Sequence, residues 1–230
     1  MRLSIIIPVL NDAFALSLLL RDLAAALADE SIEVIVVDGG SVDGLDEILT
    51  GQAVRLLRSC PGRGQQLSTG VSASLGRVVW MLHADTRPGP DALELVAAQS
   101  FGWGRFRLRL EPDFRGMRMV GAMMHWRSRL TGICTGDQGI WVERGLLEQI
   151  GGVPMQPLME DIELSSRLRR VAWPRVLPAT LATSSRRWQK QGLVRTIIRM
   201  WSFRLKYFLG VPAQVLARSY SDIRDNRAKK

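Results

Sequence analysis

The chain has 230 residues, 47% hydrophobic and 23% charged. That is enough for one substantial core and too short for several independent domains. Cys60 and Cys134 stand far apart and form neither a disulfide framework nor a metal-ligand spacing, which points to a reducing, cytoplasmic compartment. The opening MRLSIIIPVLND is broken by Pro8, Asn11 and Asp12 before a signal-peptide core is complete, and no apolar stretch is long enough to span a bilayer.

The net charge of +9 is unevenly placed. Residues 186–230 hold twelve Lys/Arg against two Asp/Glu, whereas residues 1–185 hold nineteen against twenty. A neutral body with a basic tail implies an anionic ligand or surface met by the tail. It argues against a domain-wide nucleic-acid footprint, for which no recognition motif is present. The expected organisation is a domain over 1–185 and a basic helical extension over 186–230, packed on the same domain.

In chain order, Leu3 to Val9 is a strand candidate, and Asn11-Asp12 can cap a helix over Ala13 to Ala28. Ile32 to Val37 is a continuous apolar strand that stops at Asp38-Gly39-Gly40-Ser41. Ala53 to Leu57 is a weaker strand, Leu67 to Leu75 a helix, and Val78 to Leu82 a fourth strand. Buried strands ending in polar or glycine residues, with helices between, predict an α/β nucleotide-binding half built on a mainly parallel sheet.

Beyond it the pattern loosens. Gly104 to Leu110 alternates arginine with apolar residues, as a strand with one solvated face does. Met117 to Leu130 reads as a Met-rich core helix, Gly139 to Glu143 and Trp173 to Leu177 as short strands, and Glu160 to Val171 as an amphipathic helix. Gly192 to Leu209 predicts a long helix. Its stripe of Val194, Ile197, Ile198, Trp201, Leu205 and Phe208 is expected to dock on the core; the alternative is a helix lying on anionic lipid.

Ligands of open α/β sheets bind outside the carboxyl ends of the strands. Asp85, after the fourth strand and close to His83, therefore suits a divalent cation bridging a diphosphate, or simply opens a turn before Pro88. Asp38 ends the second strand and faces the same crevice. Pro61-Gly62-Arg63-Gly64 precedes a helix, which makes Arg63 a candidate diphosphate contact; a surface loop arginine is the equal alternative. Glu160-Asp161 opens a helix, where carboxylates complement the dipole, and follows Leu158-Met159, which fits entry into a pocket.

The segments SIIIPVLND, VVDGGSVDG, HADTRP, GDQGIWV, PLMEDIELSSRL and SSRRW, in this order from Ser4 to about Tyr220, resemble the family-2 glycosyltransferases with a GT-A fold. The likeness is nearest to a small bacterial subgroup, the radical-SAM/selenodomain-associated transferases. The resemblance implies a GT-A (Rossmann-like) sheet flanked by helices with a C-terminal helical extension. It implies a nucleotide-diphospho-sugar donor, Mg²⁺ or Mn²⁺, and inverting, non-processive transfer to an acceptor hydroxyl. Pro8, Asn11 and Asp38 match the segment at the nucleotide base, with Gly39 where the family has a second acid. Asp85 matches the last acid of the DxD metal motif, with His83 where its first acid usually stands. Asp161 matches the general base. Arg187 and Trp188 match the end of a QxxRW motif, with Ser184 in place of its Gln. Gln138, Glu160 and Trp188 are implied on the acceptor side, and Arg63 or Arg187 at the departing diphosphate. The acceptor is open and is compatible with a lipid-linked molecule and with peripheral membrane contact through the basic helix. A nucleotidyltransferase remains a rival, disfavoured by the missing arginine or lysine after the first strand, as does a non-catalytic nucleotide-sugar-binding module.

Overall fold

The computed structural model describes residues 1–114 and 116–228. The first half runs β1 (Leu3–Val9), α1 (Ala13–Asp22), α2 (Ala24–Leu27), β2 (Ile32–Asp38), α3 (Leu45–Leu49), β3 (Arg55–Arg58), α4 (Arg63–Ala73) and β4 (Val78–Met81). Then come β5 (Thr86–Pro88), α5 (Ala92–Ala97), β6 (Trp103–Glu111), α6 (Met117–Thr131), β7 (Trp141–Glu143) and α7 (Arg144–Gln149). The chain continues through α8 (Glu160–Leu168), β8 (Arg175–Ser184), α9 (Arg186–Gln191), α10 (Leu193–Phe208) and α11 (Ala213–Ala228).

One eight-stranded sheet organises these elements in the order β3-β2-β1-β4-β7-β6-β8-β5. The β3-β2-β1-β4 half is all parallel. Its inner strands β1, β2 and β4 are near-continuous apolar runs because helices cover both faces, whereas the edge strand β3 exposes Arg55 and Arg58. Leu3, Ile5 and Ile7 face one core layer and Ile6 the other, as strand alternation requires. The second half is mixed: β7 pairs antiparallel with β4 and β6, β8 parallel with β6, and β5 antiparallel with β8.

Several expectations shift. The helix from Ala13 breaks at Leu23 into α1 and α2. The helix expected at Leu67 starts at Arg63, straight after the Gly62 turn. The short strand expected at Trp173 is the ten-residue β8, whose end carries the chain back to the crevice. Arg105 departs from the alternation expected of β6. A register irregularity between Arg105 and Arg107 turns its side chain inward. There, fully buried, it donates to the carbonyls of Phe106 (2.9 Å) and His125 (3.0 Å).

The stripe on α10 does not dock. Val194, Ile198, Trp201, Leu205 and Phe208 are each more than half exposed, whereas Thr196 and Phe203 on the opposite face are buried. Ile197 and Met200 lean on a third apolar cluster formed by Leu108, Val120, Met124 and Trp188. The helix has two apolar faces, and the sequence pattern marked the longer one, which points outward.

Candidate active site

The carboxyl ends of β1, β2 and β4 open on one crevice, and two loops are clasped together at its rim. Asn11 Oδ1 accepts from the Val42 amide at 2.9 Å, and Ser41 Oγ accepts from the Asn11 amide at 2.9 Å. Asp43 accepts from the Ala13 amide at 2.8 Å. Asn11 holds a left-handed backbone (φ 51°), which a short amide side chain tolerates. Beneath the rim, the buried Gln66 of α4 donates to the carbonyls of Val9 (2.7 Å) and Val37 (2.8 Å), tying the ends of β1 and β2 together.

Asp38 is wholly buried at the end of β2. Burial alone would raise its pKa. Hydrogen bonds from Ser41 and Gly40 and the neighbouring Arg58 guanidinium outweigh burial and hold it below the usual carboxylate value. One oxygen accepts from the Ser41 amide (2.8 Å) and the other pairs with Arg58. Its oxygens are thus committed to building the loop, and Pro8 lies beside it on β1, part-buried, in register with Val37.

Asp85 follows β4 and is only partly exposed. Its pKa is raised, first by burial and then by the carboxylates of Asp137 and Asp12, against the opposing pull of His83 and Arg186. A carboxylate held in such surroundings gains from a nearby cation. His83 is differently engaged from what its sequence position suggests. Its Nδ1 lies 3.1 Å from Asp137 and its Nε2 2.7 Å from an Arg63 nitrogen. Among the described residues no three His, Cys, Asp or Glu side chains gather as a ready metal cage. The donor chemistry still fits a hard cation held by the Asp85 carboxylate and completed by diphosphate oxygens, the arrangement usual for Mg²⁺ at phosphate substrates.

Arg63, the first residue of α4, is ion-paired with Glu160, the buried first residue of α8. Burial works against its charge, but the fields of Glu160, Asp161 and Asp137 more than offset it, and its pKa is raised. The pair forms because α4 and the loop before α8 pack closely. A Cβ on Gly64 would lie 2.6 Å from the carbonyls of Pro154 and Gln156, so only glycine fits.

Asp161 is anchored by backbone groups. Its Oδ2 accepts from the Gly136 amide at 3.0 Å and its Oδ1 from the Ile162 amide at 2.8 Å. Each oxygen keeps a further lone pair. Gly136 has no room for a side chain, because a Cβ would run into the His83 ring. The turn Gly136-Asp137 therefore touches Asp161 through the Gly136 amide and His83 through the Asp137 carboxylate. Met159, just before α8, has φ 63°, an uncommon conformation for methionine and one that fixes how Glu160 and Asp161 enter the cleft. Arg63, His83, Gly136, Glu160 and Asp161 line a cleft of about 340 Å³ open to solvent.

The remaining sequence candidates divide. Gln138 is fully buried. It accepts from the Thr135 amide (3.0 Å) and donates to Ser128 Oγ (3.1 Å), which makes it a prop beneath the turn rather than a contact in the cleft. Trp188 is 7% exposed and packs against α6. The side chain of Arg187 lies outside the described residues. Its neighbour Arg186 reaches across the crevice mouth to Asp12 at 3.3 Å. Sequence reasoning missed Asp137, although it adjoins Gln138, and Arg127 on α6 and Arg204 on α10. Both arginines feel the field of Asp161.

Parallel strands closing on a crevice, with a mixed second half and C-terminal helices, define a GT-A-like fold. Solved structures of that fold superpose on the chain. S. aureus TarS (residues 1-349) does so with a TM-score of 0.63 at 16% identity, covering 80% of this chain and 61% of that one. A mannosyltransferase, PcManGT from Pyrobaculum calidifontis, in complex with GDP-Man and Mn²⁺, gives 0.57 at 21% identity, over 79% and 56%. Residues 4–99 match the model of glycosyl transferase family 2. Through that segment the chain is similar to family 2 of the glycosyltransferases. An undecaprenyl-phosphate 4-deoxy-4-formamido-L-arabinose transferase of Sodalis glossinidius is 31% identical over 155 residues, covering 60% of this chain and 47% of the relative. The chain spans about half the length of the curated relatives it matches.

Proposed function

We propose that the protein transfers a sugar from a nucleotide-diphospho-sugar to an acceptor hydroxyl, with inversion and one sugar at a time. The observation that supports this reading is a pair of differently held carboxylates: Asp85, after β4 and part-buried, and Asp161, anchored by the Gly136 and Ile162 amides in the cleft. Burial disfavours the charge of Asp85, which a cation would relieve, and each Asp161 oxygen keeps a lone pair toward the cleft. The nucleoside would lie against the clasped loops of Asn11 and Ser41, in a frame kept rigid by Asp38, with Pro8 beneath it. The diphosphate would lie toward Asp85.

A divalent ion, Mg²⁺ or Mn²⁺, would supply positive charge to the leaving diphosphate. Structural relatives contain Mn²⁺ or Mg²⁺ with nucleotide, which supports this choice. Asp161 would accept the proton of the acceptor hydroxyl as its oxygen bonds to the anomeric carbon. The bond from that carbon to the diphosphate oxygen breaks, and the nucleoside diphosphate departs with the electron pair. Glu160 and His83 hold Arg63 where its charge faces the cleft. A lipid-linked acceptor is favoured, since the curated relatives are named for undecaprenyl phosphate. Assignment to the radical-SAM/selenodomain-associated subgroup rests on the sequence resemblance alone, names no reaction and leaves the sugar open.

The test is a thermal-shift screen of UDP-, GDP-, ADP- and dTDP-sugars with Mn²⁺, followed by transfer from the donor that binds. A ligand at a hundred times its Kd stabilises by about 2.7 kcal/mol, a readily measured shift. One donor should raise the melting temperature in a metal-dependent way. Failure of every donor overturns the reading, and binding without transfer to any hydroxyl acceptor reduces the protein to a binding module.

A further inference from the structure

A groove of about 440 Å³, open to solvent, runs between α6 and α10. Met123, Met124, Trp188, Ile197 and Trp201 wall it, and Arg127 from α6 and Arg204 from α10 project into it. The Nε and one terminal nitrogen of Arg127 are buried with no hydrogen-bond partner among the described residues. Guanidinium nitrogens left without a partner beside methionine and tryptophan are costly. Burial, and then the repulsion of Arg204, push the pKa of Arg127 down to about 10. Burial lowers that of Arg204 as well, with Asp161 and Asp137 opposing. Two like charges facing one apolar groove leave room for an anion between them.

The groove opens onto apolar surface. Met119, Met123 and Trp126 on α6 and Ile198, Trp201 and Leu205 on α10 are 44–64% exposed. An apolar expanse of this kind with a charged floor marks a binding surface. A hydrophilic diphosphate would satisfy the arginines and leave these walls wet. An amphiphile would satisfy both.

We propose that this groove is the acceptor site, built for an amphiphile in which a phosphate joins an apolar chain to the reacting hydroxyl. The phosphate lies between Arg127 and Arg204, the chain runs along the methionine and tryptophan walls, and the hydroxyl reaches Asp161, whose field both arginines feel. The proposal rests on the reading of Asp161 as the base, but its test is a binding measurement that requires neither donor nor turnover.

Octyl phosphate, octyl glucoside and inorganic phosphate, all below micellar concentration, are titrated into the full chain and followed by calorimetry and tryptophan fluorescence. Octyl phosphate is expected to bind at least tenfold more tightly than either of the others. Arg127→Gln and Arg204→Gln should each weaken it about tenfold, the scale of one charge-assisted hydrogen bond, with the donor-induced thermal shift retained. Trp201→Ala, at a residue 55% exposed, should weaken octyl phosphate and leave inorganic phosphate unchanged. If Arg127→Gln fails to fold, Arg204→Gln and Trp201→Ala carry the test. Octyl glucoside binding as tightly as octyl phosphate overturns the proposal, and so does inorganic phosphate doing so. Loss of the donor shift in the arginine variants with octyl phosphate unaffected assigns the arginines to the donor and also overturns it.

Discussion

The two sides of the crevice are built on opposite plans. At the ends of β1 and β2, the acid and amide side chains are matched inside the protein: Asp38 to Ser41 and Arg58, Asn11 to Val42, Gln66 to two strand carbonyls. On the side of α6 and α10 the matching is incomplete. Arg127 has two buried nitrogens without partners among the described residues, and large apolar side chains face solvent. A satisfied network keeps its shape before a ligand arrives. Unpaired charge and exposed apolar surface are groups whose partners come with the ligand. On the proposed reading, the difference separates a rigid frame for a nucleotide from a surface completed by what it binds.

The sharpest way to break this comparison lies at its boundary, in Asp161. Asp161→Asn keeps the side-chain volume and one of the two backbone hydrogen bonds, because its amide nitrogen cannot accept the other, and it removes the capacity to take a proton. Turnover should fall roughly a hundredfold or more, the usual scale for a lost general base. Donor affinity, measured by calorimetry, should stay near the parent value. Unchanged transfer removes Asp161 as the base, and lost donor binding moves it to the frame side of the crevice.

Asp85 gives the next largest effect, and its sign differs from that of an ordinary frame residue. Its raised pKa means that the ionised form is disfavoured in the fold. Its contribution to stability is fully present below the ordinary carboxylate value and diminishes as pH rises through the raised one. At neutral pH without metal, Asp85→Asn should therefore melt at the same temperature as the parent or higher. The metal-dependent shift produced by the donor should fall about tenfold in apparent affinity. A variant that melts lower and still binds donor with Mn²⁺ makes Asp85 a turn residue.

Asp38 should behave in the opposite sense. Its pKa is lowered, so its contribution is present above the ordinary value of 3.8 and is lost as pH falls through the depressed one. Asp38→Asn should cost about 2 kcal/mol at neutral pH, the scale of hydrogen bonds to a buried charge. The gap between parent and variant, from urea unfolding, should be equal at pH 7 and pH 5 and narrow below pH 4. A gap that widens in acid contradicts the assignment.

The strand-end placement of these two acids was legible in the sequence for one physical reason: each closely follows a continuous apolar run, which forms a buried parallel strand. Arg63 and Asp161 were visible as residues, but their neighbours were not. Asp137 reaches His83 only because Gly136 brings the turn under the imidazole, a contact that strand and helix periodicity does not encode. Gln138, beside it, reads equally well as a ligand contact and proves to be a buried prop. Arg127 and Arg204 were hidden for another reason. An arginine on an amphipathic helix usually snorkels to water, and only the packing of α6 against α10 keeps this pair in a groove. Arg105 was misjudged because a register irregularity inverted its face.

The smallest expected effect on the fold sharpens the comparison from the α10 side. Ile198, Leu205 and Phe208 are 64%, 60% and 62% exposed, so replacing all three with serine removes little buried contact. Stability should change by only about 0.5 kcal/mol per site or less, as for other surface substitutions. If the stripe met the core instead, the same changes would cost several kcal/mol in total. The exposed Arg195 and Lys206 lie on the same helix, and basic residues near an anionic bilayer contribute about 1 kcal/mol each. The parent should therefore co-sediment with anionic vesicles at low salt and release as salt screens the charges. The triple serine variant should stay in the supernatant at both salt concentrations while melting like the parent. Equal sedimentation of variant and parent would make the attraction purely electrostatic and leave the stripe without a role at the membrane. No sedimentation of the parent, even at low salt, would limit the apolar surface to a single amphiphile in the groove.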